Sequence, residues 1–257
     1  MASHAKHLLY AALAPTDAGK RTINIAGIFP EVFVASCLLL FTPPVVKSVY
    51  LAFDPLVSYW FDFKTKVVVA LPAVFIGAGY VMQALRRAPR RGAIALSLLG
   101  PSMALAVQAN NIAANALELS NDFAASDCEP FTRKYPLESS WQAASDFQKQ
   151  CWSKVGEEYL LIHCHDYSEH AFKHPGWAFL ENMEHRYVCS GWCHHRAPLW
   201  TTLPTADSCS TVVSQVLFAK VLRDSVQVVI YNFIVICLSI VALVLLGPTM
   251  REKGFDW

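Results

Sequence analysis

The sequence has few charged residues and almost no net charge. Asp, Glu, Lys and Arg make up only 16% of its 257 residues, and 21 basic residues nearly balance 20 acidic ones. A low charge with a high apolar content argues against a disordered chain, and the lack of a basic excess argues against a nucleic-acid partner. Apolar residues reach 54%, above the roughly 45 to 50% of soluble proteins. The composition predicts an integral membrane protein.

The motifs of common catalytic and cofactor sites are also missing. The sequence contains no G-x-S-x-G, no Walker loop, no dinucleotide fingerprint and no zinc-protease histidine pair. Cys189 and Cys193 are one residue too far apart for a thioredoxin-like redox pair. No N-x-S/T sequon occurs, so N-glycosylation is not expected. We therefore expect no catalytic residue, no metal site and no cofactor.

Four apolar runs are long enough to cross a bilayer, which takes roughly 20 helical residues. They cover 23–41, 67–85, 93–117 and 226–246, and the first could continue through Pro43 and Pro44. They predict an all-α membrane protein with four transmembrane helices. The N-terminus lacks a basic region followed by an uninterrupted apolar run, so the first span is expected to serve as the insertion signal.

Arginines indicate the orientation of these helices. The turn 86–92 contains four arginines and is expected to be cytoplasmic, because positively charged loops stay on that side. Alternation then makes the N-terminal arm 1–22 and the tail 247–257 cytoplasmic as well. Lys64 and Lys66 favour the opposite orientation. The sequence does not identify the membrane, which could be a plasma, ciliary or internal membrane.

Two segments are then expected on the outer side. Segment 48–64 is short and aromatic, which suits the headgroup level, and segment 118–225 has the size of a small domain. An even number of cysteines in a non-cytoplasmic segment indicates a disulfide framework, although the sequence does not choose the pairing. The cysteines of the larger segment are Cys128, Cys151, Cys164, Cys189, Cys193 and Cys209.

Three short stretches of the large segment resemble those of plant-type and protist-type tetraspanins. They are 141–151 (WQAASDFQKQC), which precedes Cys164, 189–198 (CSGWCHHRAP) and 204–209 (PTADSC). The match is divergent, because Trp192 stands where the family has one of its paired cysteines. The cytoplasmic cysteines that tetraspanins carry beside the membrane are also absent from the arm, the turn and the tail.

The resemblance implies a non-catalytic scaffold that organises other integral membrane proteins through lateral helix contacts and the large outer loop. It also allows a lipid or sterol ligand. Two alternatives remain open. One is an accessory structural subunit of a larger membrane complex, and the other is a small transporter or redox enzyme that would use Glu31 or the Cys189 and Cys193 pair.

Bulky aromatic residues of the large segment are candidates for partner binding, since binding energy concentrates at such side chains. Trp177, Trp192 and Trp200 are the residues expected to contact a partner. The alternative is that they form the core of the segment itself.

Polar residues inside the spans are the other candidate site. Gln108, Asn111 and Asn115 recur at helical spacing on one face of the third span. That face is expected to contact other helices, with Thr42 and Asn232 as partners, because unpaired amides in lipid are costly. The alternative is the wall of a polar or lipid-holding cavity. Glu31, near the cytoplasmic end of the first span, is expected to be structural and within reach of Arg86 or Arg87.

Small residues and histidines add two further expectations. Gly77 and Gly100 each have an alanine four residues away, a spacing that lets helices approach closely. His170 and His174 would share one helix face, in a segment rich in histidine. A structural role is expected for them, with a metal site or a pH-sensing role as the alternatives.

Overall fold

The computed structural model describes residues 25–61, 70–86, 91–125, 127–155 and 160–252. The N-terminal arm, the residues 67–69 that begin the second apolar run, Arg87 and the last five residues lie outside the described residues. Within the described ranges the regular structure is helical, with no strand. The helices are α1 Ile25–Phe53, α2 Pro55–Trp60, α3 Leu71–Arg86, α4 Arg91–Ala124, α5 Tyr135–Val155, α6 Tyr167–Lys173, α7 Gly176–Tyr187, α8 Cys209–Val216 and α9 Arg223–Glu252.

Among the described residues, three helical stretches are long and apolar enough to cross a membrane. They are Glu31–Phe53, Arg91–Ala124 and Cys209–Pro248. The last is continuous because the π-helical segment Leu217–Leu222 joins α8 to α9. The 16 residues of α3 extend over only about 24 Å, short of the roughly 30 Å of a hydrocarbon core. The structure thus shows three candidate spans, and the fourth stays a prediction.

The helices continue beyond the boundaries expected from the apolar runs. The first runs through Pro43 and Pro44 to Phe53, the third extends from residue 117 to Ala124, and the last begins at Cys209 rather than near residue 226. The two ends of segment 118–225 therefore do not belong to a separate domain. They are parts of the helices that form candidate spans. We call the described residues 127–155 and 160–208 between them the cap region.

Helix α4 is central, and it contacts α1, α3 and α9. Cys37, Phe41, Leu105 and Val235 are buried where these helices meet.

Small residues bring α3 close to α4. A Cβ atom placed on Gly79 would collide with Ser97 Oγ, and one placed on Gly100 would lie 2.8 Å from the ring of Phe75. A Cβ atom on Gly77 would meet no atom of the described residues within 4 Å. The prediction that helices approach closely at Gly77 is therefore wrong. The close approach occurs at Gly79 instead.

The cap region packs directly on the ends of the candidate spans. One continuous core joins Leu119 and Phe123 of α4, and Leu217 of the last helix, to Trp177 and Trp192 of the cap region. Burial of this shared apolar surface stabilises the two parts together. The cap region is thereby fixed to the helices that position it.

The six cysteines of segment 118–225 form three pairs at disulfide distance. Their Cα atoms are 6.2 Å apart in Cys128–Cys193, 5.8 Å in Cys151–Cys164 and 4.9 Å in Cys189–Cys209. These separations lie within the usual range for a disulfide. They agree with the expected framework and supply the pairing that the sequence left open.

Candidate functional site

The three tryptophans expected to contact a partner are fully buried. The accessible fractions of Trp177, Trp192 and Trp200 are all 0%. The indole N–H of Trp177 donates to the Ser140 carbonyl at 2.9 Å. The prediction of a partner-binding role is therefore wrong, and the alternative is correct: they form the core of the cap region. A small helical region needs such large side chains to exclude water from its centre.

The polar stripe of α4 does not face the bundle as expected. Asn111 and Asn115 are exposed, Gln108 is half-buried and the neighbouring Ile112 is buried. The prediction is wrong for the two asparagines, because α4 packs through Ile112 and the small side chain of Ala116, which permits close helix contact.

The partners expected for that stripe bond within their own helices. Thr42 Oγ1 donates to the Leu38 carbonyl at 2.6 Å, and Asn232 Nδ2 donates to the Val228 carbonyl at 2.8 Å. Glu31 is exposed at the start of the first candidate span. Of its two expected partners, Arg87 lies outside the described residues, and only the backbone of Arg86 is described.

Gln83 of α3 is a buried polar residue that the sequence analysis did not single out. Its side chain is 0% exposed, and neither of its amide atoms has a hydrogen-bond partner within the described residues. A glutamine in an otherwise apolar helix was a visible signal for such a site.

His170 of α6 and His174, the residue that caps the C-terminus of α6, pack on an aromatic surface. The ring of His174 stacks on Trp177 with centroids 5.0 Å apart, and the ring of His170 lies 4.3 Å from that of Phe147. Within the described ranges, no three His, Cys, Asp or Glu side chains converge on a point that could hold a metal ion. The contacts favour the expected structural role over the two alternatives.

Two phenylalanines of the cap region are almost completely exposed. The exposed fraction is 97% for Phe131 and 90% for Phe172. Phe131 lies in the turn between α4 and α5, and Phe172 lies on α6. Neither residue was predicted from the sequence as a candidate site, although each is an isolated large apolar residue among polar neighbours.

The turn that carries Phe131 is fixed on both sides. Arg133 donates to Glu118 of α4 at 2.7 Å and lies 3.5 Å from Asp122, while Lys134 donates to the Ala125 carbonyl. The Cys128–Cys193 pair holds the other end of the turn. Phe131 is therefore presented from a constrained turn beside the C-terminal end of α4.

A charged crevice lies where the cap region meets the ends of the candidate spans. Its volume is about 400 Å³. Among the described residues, three cations and two acids line it, namely Lys47, Arg186, Lys220, Asp54 and Asp224. The exposed rings of Tyr50 and Phe53 line it together with the buried side chains of Leu51 and Val221.

Asp54 is the centre of this crevice and is only 8% exposed. One carboxylate oxygen accepts from the Leu56 N–H at 3.0 Å and caps α2. The other accepts from Lys220 Nζ at 3.1 Å and from an Arg186 guanidinium nitrogen at 3.5 Å. Lys47 pairs with Asp224 at 3.2 Å. This cluster could not be predicted from local sequence because its members come from separate segments, although charges at the ends of apolar runs were a usable signal.

Comparisons of the chain with protein-family models, with curated proteins and with solved structures found no match.

Proposed function

We propose that the protein is a non-catalytic, tetraspanin-like membrane scaffold that organises other integral membrane proteins. In this proposal the second apolar run, 67–85, crosses the membrane as a fourth span. The turn 86–92 and both termini are then cytoplasmic, and the cap region lies outside. The three candidate spans and the three cysteine pairs at disulfide distance are compatible with that arrangement.

The exposure of Phe131 and Phe172 is the observation that carries the proposal. Each ring leaves nearly all of its surface in water, and full burial of a phenylalanine contributes about 1.5 to 3 kcal/mol. Because the turn around Phe131 is already fixed by Arg133 and the Cys128–Cys193 pair, little ordering cost would oppose binding there. A partner that covers these rings gains most of their hydrophobic stabilisation.

The position of Phe131 favours a partner that is itself in the membrane. Arg133 ties its turn to Glu118 and Asp122 of α4, so the ring lies beside the end of a candidate span. Large apolar side chains are also exposed along the spans, including Leu39 on α1 and Phe233 on α9. Such side chains face lipid or the helices of another membrane protein, so one partner could contact both surfaces.

The test compares the double substitution Phe131→Ser and Phe172→Ser with the single substitution Leu203→Ser. Leu203 is a matched control, because it is an exposed apolar residue of the same cap region. Each full-length protein is cross-linked in its own membrane and purified in mild detergent. We expect the double variant to lose most of the cross-linked membrane proteins that the unsubstituted chain and the control retain. Its unfolding temperature should be unchanged, because exposed positions contribute little to stability.

Two outcomes contradict the proposal. If the double variant retains the same partners in the same amounts, the two rings are not a contact surface for partners. If the unsubstituted chain always co-purifies with one protein at a fixed ratio, it is an accessory subunit and not an organiser of several partners.

A further inference from the structure

We propose that the crevice around Asp54 binds the phosphate of a phospholipid headgroup. The proposal rests on the charges, the volume and the position of the crevice, and it does not depend on Phe131 or Phe172.

Two cations of the crevice converge on a single oxygen atom. Lys220 Nζ and a guanidinium nitrogen of Arg186 both point at Asp54 Oδ2. Their side chains remain 48% and 44% exposed, so donors of the ammonium and the guanidinium stay accessible. One carboxylate oxygen cannot satisfy them all, whereas the oxygens of a phosphate can accept from both groups at once.

The charge of the crevice matches one phosphodiester. Lys47, Arg186 and Lys220 carry three positive charges against the two negative charges of Asp54 and Asp224. The net charge of these five lining residues is therefore +1. A phosphodiester carries one negative charge and would neutralise it. The volume of about 400 Å³ lies within the range of sites for small ligands.

The position of the crevice favours a lipid, and not a soluble phosphate, as the ligand. Lys47 and Asp224 lie near ends of the apolar parts of α1 and α9. Exposed aromatic rings such as Tyr50 and Phe53 are typical of the headgroup level. Val46 and Val49 are also exposed and share a face of α1 with these rings at four-residue spacing, so that face offers a path for an acyl chain.

The backbone conformation at Lys220 is a further indication of a binding site. Lys220 lies in the π-helical segment Leu217–Leu222, and π-helical turns occur frequently at functional sites. The neighbouring Leu217 and Val221 are buried in the shared core. The lysine is thus held on a fixed backbone at the mouth of the crevice.

The test measures ligand adducts on the full chain by native mass spectrometry in a maltoside detergent. The probes are dihexanoyl phosphatidylglycerol, inorganic phosphate and a diacylglycerol that has no phosphate. We expect a saturable adduct with the phospholipid and none with the diacylglycerol. The double substitution Arg186→Gln and Lys220→Gln should weaken phospholipid binding at least about tenfold, because it removes two charge-assisted hydrogen bonds.

A matched control removes two basic residues elsewhere. Lys149→Gln with Lys173→Gln also breaks ion pairs with acids, but neither residue lines the crevice. This control should bind the phospholipid like the unsubstituted chain. Equal loss in the control and the crevice variant would show non-specific attraction to basic residues and overturn the proposal.

Asp54→Asn is a variant that is expected to strengthen phospholipid binding instead of weakening it. It removes the carboxylate that competes for Arg186 and Lys220, while the asparagine can still cap α2. Phospholipid binding should therefore tighten several-fold, a gain that a misfolded variant would not show. Unchanged or weaker binding by a folded Asp54→Asn chain would overturn the proposal. If inorganic phosphate binds as tightly as the phospholipid, the crevice is a site for soluble phosphate and the lipid assignment is wrong.

Discussion

Glu184 is an acid that the cap region keeps almost entirely out of water. It is 1% exposed, and its carboxylate accepts hydrogen bonds from the N–H groups of Leu199 at 3.1 Å and Trp200 at 2.9 Å. Burial raises the pKa of Glu184 to about 7, although the backbone hydrogen bonds act in the opposite direction. The stability of the cap region should therefore depend on pH near neutrality.

The sign of this dependence follows from the raised pKa. The folded chain binds a proton at Glu184 near pH 7, whereas the unfolded chain binds it only near the ordinary value of 4.5. Stability is therefore greatest below the ordinary value and is lost as the pH rises through about 7. The loss amounts to roughly 3 to 4 kcal/mol at most, at about 1.4 kcal/mol per pKa unit. Thermal unfolding of the full chain between about pH 5 and 8 measures it.

Glu184→Gln is the control for that series, because the amide cannot ionise while its oxygen still accepts a hydrogen bond. Histidines also titrate in this range, so the informative quantity is the difference in unfolding temperature between the two chains at each pH. The unsubstituted chain should lose stability relative to Glu184→Gln as the pH rises. A constant difference would show that Glu184 keeps an ordinary pKa.

The contact between α3 and α4 depends on one of two nearby glycines. Gly79 is buried against Ser97, whereas Gly77 faces open space among the described residues. Gly79→Leu should force the two helices apart at a cost of about 1 to 3 kcal/mol, typical of overpacking. Gly77→Leu should be neutral or slightly stabilising, because leucine favours the helix by roughly 0.8 kcal/mol over glycine. Unfolding temperatures in detergent distinguish the two.

Equal effects of the two substitutions would contradict this helix packing. If both were tolerated, α3 would not approach α4 at Gly79. If both were destabilising, Gly77 would also lie in a contact.

The existence of the long helices could be predicted from the sequence, but their ends and faces could not. Apolar runs of about 20 residues indicated the cores of α1, α4 and α9. The ends were missed because α4 continues to Ala124, and α8 begins at Cys209, along amphipathic segments that pack on the cap region. The face of α4 was missed because Ala116 and Ile112 determine its packing, and the amides Asn111 and Asn115 do not.

Contacts between residues that are far apart in the chain could not be predicted from the sequence. An even number of cysteines in one segment indicated a disulfide framework, but the Cys128–Cys193 pair joins residues 65 positions apart. The crevice likewise assembles Lys47, Asp54, Arg186 and Lys220 from distant parts of the chain. No local spacing encodes such contacts, which depend on how the cap region packs on the helices.

We propose that four helices cross the membrane, with the cap region on one side and the arginine turn on the other. Labelling of introduced cysteines by a membrane-impermeant thiol reagent tests it most directly, with Lys64→Cys, Ala88→Cys and Leu203→Cys as the single-site variants. In sealed membrane vesicles that expose the outer side, we expect labelling at positions 64 and 203 and none at 88, which should react only after permeabilisation. Labelling of positions 64 and 88 from the same side would show that α3 does not cross. Labelling of positions 88 and 203 from the same side would contradict the account as a whole.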